Sequence, residues 1–162
     1  MTILSSLLIT ERSTWGADWA WGLPLTVLTV LIHAWGLGVV RVRVLRTTSY
    51  PILRRHHRAM FVTIICGVTL SATVLHGMEA TLWALAYRLL KALPDNRTAM
   101  LYSLNAITSY GHANLQLDGR WHLMGAMEAL NGWLLFGLST AFLFAMIERL
   151  SSFDSKGEQQ PI

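Results

Sequence analysis

Six residues, Ser109-Tyr110-Gly111-His112-Ala113-Asn114, form the most chemically suggestive run in the chain. The run joins hydroxyls, a glycine, an imidazole and an amide in a strip too polar and too short to cross a bilayer. Such a strip offers peptide oxygens to a cation and an imidazole that titrates near about 6.5. A second set of polar residues interrupts the apolar stretches on either side. His76 and Glu79 are three apart, as are Glu128 and Asn131, and each pair therefore shares a helix face. Asn105 lies four residues before Ser109. Carboxylates inside apolar helices are costly and point to a function. Two chemistries fit them. One is a hydrogen-bonded cradle of all five residues behind the polar strip. The other is a metal site of His76, Glu79 and Glu128, to which only one histidine contributes.

The elements that position these groups are long and apolar. Of 162 residues, 53% are hydrophobic and 14% charged. A membrane span needs about 20 apolar residues, and three stretches supply them, at 19–40, 59–91 and 121–148. This composition disfavours a soluble globular core. Residues 1–18 hold a short apolar patch with no basic n-region and no cleavage site, so they read as an interfacial segment. Trp15, Trp19 and Trp21 at the entry to the first span suit an aromatic belt. Pro24 is expected in that span's first turns, where its missing N–H matters least. His33 reads as a neutral histidine hydrogen-bonded to a neighbouring helix.

The net charge of +4 raises the question of nucleic acid, but its placement argues otherwise. Arg41, Arg43, Arg46, Arg54, Arg55 and Arg58 crowd into the loop 41–58. That is the positive-inside signal, and it also suits anionic lipid head groups. No nucleic-acid partner is expected. His56 and His57 point in different directions on a helix and sit beside arginines that repel a metal cation. The single Cys66 excludes an internal disulfide and a cysteine-based zinc site. No nucleophile elbow, nucleotide loop or zinc-protease motif occurs, so no catalytic residue and no resident cofactor or metal is assigned.

Between the second and third spans, Pro94-Asp95-Asn96 break one helix and cap the next. A short helix over about 96–108 then leads into the polar strip, the two together covering 95–116. A short helix followed by an extended strip, set between two spans, is the layout of a re-entrant loop. Irregular backbone at membrane depth is tolerated only where protein buries it or where it lines water. The helix C-terminus carries partial negative charge and favours a cation.

Over roughly residues 59–147 the chain resembles the pore-loop cation channels of the potassium-channel superfamily. Their filter reads Thr-Val-Gly-Tyr-Gly-Asp or a near variant. Without a gap, Ser109 falls on the threonine, Tyr110 on the valine and Gly111 on the first glycine. His112 falls on the tyrosine, Ala113 on the second glycine and Asn114 on the aspartate. A rival register, Tyr110-Gly111 on Tyr-Gly, needs compensating gaps. The resemblance implies an all-α membrane protein with three transmembrane helices, a re-entrant pore helix and a filter strip, assembled as a homotetramer in the plasma (inner) membrane. It implies passive conduction of a monovalent cation, K+ or Na+, either selective for potassium or poorly selective, since His112 and Ala113 depart from the family pattern. In this family the last helix lines the pore and hinges at a glycine, which makes Gly132 the first candidate and Gly137 the second. The charge rule and the family layout both put the N-terminus outside and the tail 149–162 in the cytoplasm. Acid is expected to lower conductance through His112, an effect that His112→Ala would remove. Two other classes remain open: a non-conducting membrane subunit with a degenerate loop, and an intramembrane metal-binding protein.

Overall fold

The computed structural model describes the backbone over residues 2–48, 57–111 and 115–157, and side chains over 15–47, 59–111 and 115–150. The described residues are helical apart from turns and short connections. Among the described residues four helices follow in order: α1 (Thr2–Thr48), α2 (His57–Leu89), α3 (Asn96–Ile107) and α4 (His122–Gly157), with a 3₁₀ turn, Gly119–Trp121, before the last. Within them, Trp15–Thr47, Ala59–Leu89 and Gly119–Leu150 are long and apolar enough to cross a membrane. Helix α1 extends beyond 19–40 at both ends, and Pro24 lies well inside it, not in its first turns. The earlier start follows from residues 2–18, which continue the helix with no breaker before Pro24. The basic loop's Ser49 to His56, and with them Arg54 and Arg55, lie outside the described residues, as do the side chains of His57 and Arg58.

Helices α2 and α4 carry apolar side chains around their exposed faces, including Val62, Leu70, Leu85, Leu130 and Phe144. Hydroxyls on those faces bond to their own helix. Thr63, Ser71, Thr73, Thr81 and Thr140 each donate to the carbonyl four residues back. This local bonding satisfies those five hydroxyls within their own helices.

The chain divides into two compact units, Met1–Leu31 with Gly77–Leu135, and Ile32–His76 with Phe136–Ile162. The first unit contains α3. Its core gathers Trp83, Tyr87, Tyr102, Trp121, Met124 and Met127, with Ala80, Ile107 and Leu135 forming a smaller cluster. Small residues let its helices approach closely: a Cβ on Gly22 would lie 2.7 Å from the Met127 sulfur, and one on Gly125 would collide with the Tyr102 hydroxyl. The second unit packs Ile64, Val68 and Leu150 with flanking Val40, Val44 and Phe142. Gly36 in that unit faces Leu75, whose methyl would lie 2.6 Å from an added Cβ.

Candidate functional site

Helix α3 is short because both ends are capped. Asp95 starts it in extended backbone (φ −146°, ψ 166°). The Asp95 carboxylate accepts from the Thr98 N–H at 2.9 Å and from the Thr98 hydroxyl at 2.7 Å. The N–H and hydroxyl bonds from Thr98 hold the carboxyl below its ordinary value. Arg88 secures the corner before the cap, donating to Leu93 O at 2.7 Å and to Asn96 Oδ1 at 2.9 Å. Ala99, Tyr102, Ser103, Ala106 and Ile107 form the buried face, at the i, i+3, i+4, i+7, i+8 spacing of an amphipathic helix. Leu101 and Leu104 lie on the exposed side.

The far end of α3 closes on a left-handed residue. Ser109 has φ +54°, and its N–H donates to Ala106 O at 2.9 Å. The Tyr110 N–H reaches back to Asn105 O at 3.0 Å. This pair of bonds is the Schellman arrangement, in which the left-handed position usually falls to glycine. Serine occupies it here, and its hydroxyl accepts from the Trp133 indole N–H at 2.8 Å. Gly132, the residue before Trp133, lies directly against the last carbonyl of α3. A Cβ there would collide with the Ile107 oxygen. Gly132 therefore serves close packing at this point, whereas Gly137 has open space around it. Beyond the turn, Gly111 has φ +93°, a conformation that glycine adopts cheaply. Ser109, Tyr110 and Gly111 are all exposed, Tyr110 at 85%. His112, Ala113 and Asn114 lie outside the described residues.

Behind α3, Glu128 of α4 is fully buried. Its Oε2 accepts from the Tyr87 hydroxyl at 2.6 Å. The Ser103 hydroxyl makes a very short bond to Oε1 and lies 2.7 Å from Ala80 O. Glu128 thereby ties α4 to both α2 and α3 in a low-dielectric interior, where such bonds are strong. Tyr102 packs edge-on against Tyr87, with ring centroids 5.3 Å apart. Asn131, one turn further along α4, takes different partners: its amide donates to Thr29 Oγ1 of α1 at 2.8 Å. Thr29 in turn donates to its own helix. Asn105 is half-buried, and it is its backbone carbonyl that holds the Tyr110 N–H. Glu79 is fully buried on α2. His76 belongs to the second unit, where its Nε2 lies 3.2 Å from Ser139 Oγ.

Four contributors escaped the reading of the sequence: Tyr87, Ser103, Thr29 and Trp133. The first three are ordinary polar or aromatic residues whose partners lie 25 to 102 positions away. Trp133 did leave a signal. A tryptophan in the middle of a span, away from either interface, stands outside the usual aromatic belt. Comparison of the chain with family models, with curated proteins and with solved structures finds no match.

Proposed function

We propose that the chain is one subunit of a homotetrameric, pore-loop cation channel, with Ser109 to Asn114 as its filter and K+ or Na+ as the conducted ion. The observation that carries the reading is the end of α3. A capped 12-residue helix between two membrane-length helices delivers the exposed residues Ser109 to Gly111, the last a glycine at positive φ. The helix is held by one buried face, by Glu128 through Ser103, and by Trp133 through Ser109. Its carbonyl end, partially negative, precedes the strip and favours a cation. Exposed peptide groups of this kind have a place in a membrane only against other protein or a water-filled path. Carbonyl rings that replace a hydration shell are the known use of such backbone. A single strip encloses nothing, so closure needs identical copies around one axis.

In this reading α3 enters from the outer face, and the basic loop lies in the cytoplasm. Arg41, Arg43 and Arg46, exposed at the end of α1, would then meet anionic head groups. The test is a sizing column followed by ion flux from proteoliposomes. A tetrameric particle that passes K+ or Na+ but not chloride is expected. A monomeric particle, or a tetramer whose vesicles leak no faster than empty ones, overturns the proposal.

A further inference from the structure

His33 and His76 of the second unit are not among the six residues of the proposed filter. His33 of α1 is fully buried, and its Nε2 lies 2.9 Å from Ser139 Oγ of α4. His76 of α2 directs its own Nε2 at the same oxygen, at 3.2 Å. The two ring centroids are 4.9 Å apart, and His76 is stacked on Phe136 at 4.5 Å. A hydroxyl carries one proton and two acceptor lone pairs, so Ser139 can donate to only one of the two rings. Two imidazoles from different helices, aimed at one point inside a span, are more than helix packing requires.

We infer that His33 and His76 form a binding site for a borderline transition-metal ion such as Zn2+, Ni2+ or Cu2+, with the Ser139 hydroxyl or a water as oxygen ligand. Ligand nitrogens of the two rings lie within 4.8 Å of each other. Nitrogens sharing a zinc ion at about 2.0–2.1 Å stand roughly 3.3–4 Å apart. Rotation of the two rings about their side-chain bonds brings the nitrogens to that spacing. A neutral imidazole with its hydrogen on Nδ1 presents its Nε2 lone pair to the ion, so two neutral rings bind it without releasing a proton. Neutral imidazole suits these ions. Ca2+ and Mg2+ demand oxygen ligands and are not expected to bind. A bound ion would staple α1 to α2 within this unit. The inference is independent of the channel proposal.

The chain has six histidines, so the test begins with the four others, His56, His57, His112 and His122, replaced by alanine. Titration calorimetry of that purified protein with Zn2+ and with Ni2+ should give one ion per chain. Adding His33→Ala or His76→Ala should weaken binding on the order of tenfold or more, while Ser139→Ala should retain it. Absence of binding in the four-alanine background, or affinity indifferent to both His33→Ala and His76→Ala, overturns the inference. X-ray absorption of the zinc-loaded four-alanine protein keeps the question open to disproof if those variants fail to fold. Two imidazoles in the zinc shell are expected, and a shell without imidazole overturns the site.

Discussion

Helices α2 and α3 end in the same way and lead to opposite outcomes. At the end of α2, Lys91 adopts φ +55°, its N–H donates to Arg88 O, and the Ala92 N–H reaches Tyr87 O at 2.9 Å. At the end of α3, Ser109 and Tyr110 repeat both the angle and the two bonds. Neither helix uses the glycine that such turns favour. The residue after the turn distinguishes them. Ala92 is 6% exposed and sits in the core beside Tyr87, so apolar burial offsets the strained backbone. Tyr110 is 85% exposed and gains nothing of the kind. The α3 turn is instead held by the Trp133 indole on Ser109 and by the close fit of Gly132 beneath it. The first turn serves the core. The second holds the exposed turn of Ser109 and Tyr110 in place.

Charge at the residue after each turn should separate the two most strongly. Ala92→Asp puts an unpaired carboxylate into the core and should cost about 3–5 kcal/mol, read as a lowered melting temperature in detergent. Tyr110→Asp should change stability by no more than about 0.5 kcal/mol, while altering ion flux. Equal destabilisation by both would abolish the distinction. Gly132→Ala should come next. Its Cβ meets backbone, which cannot rotate away, and the loss should be about 1–3 kcal/mol, as in overpacked cores. Gly137→Ala, with open space around it, is the control. Trp133→Phe keeps the ring and removes the bond to Ser109, a loss of about 0.5–1.5 kcal/mol. Its larger signature should be a changed ratio of Na+ to K+ flux, because Ser109 begins the strip.

The smallest effect concerns the other end of α3. The Asp95 carboxyl is held below its ordinary value by the Thr98 N–H and hydroxyl. Its contribution is therefore full above the unfolded aspartate value of about 3.9 and is lost as pH falls through the lowered folded value. Melting temperatures of the native chain and of Asp95→Ala should differ at neutral pH and converge below about pH 4. A gap that widens in acid would contradict the cap.

The sequence made some of this visible and hid the rest for physical reasons. The three apolar lengths and the Pro94-Asp95 break are local signals, and α3 starts where that break places it. The turns at Lys91 and Ser109 were not legible, because the residue that normally marks them is absent from both. The Glu128 bonds to Tyr87 and Ser103 span 41 and 25 positions, and helical periodicity says nothing about which faces meet. His33 looked solitary on its own helix for the same reason. Its neighbour His76 is brought to it by the fold of the second unit. Pro24 misled through its usual preference for a first turn, since the helix begins far upstream of it.

Whether the residues exposed after α3 border an ion path is tested at Tyr110. In a Cys66→Ser background, Tyr110→Cys protein would be reconstituted and treated with a membrane-impermeant, positively charged thiol reagent. Cation flux should fall to the leak of empty vesicles once Cys modification is complete, and a reducing agent should restore it. Full modification with flux unchanged would contradict it.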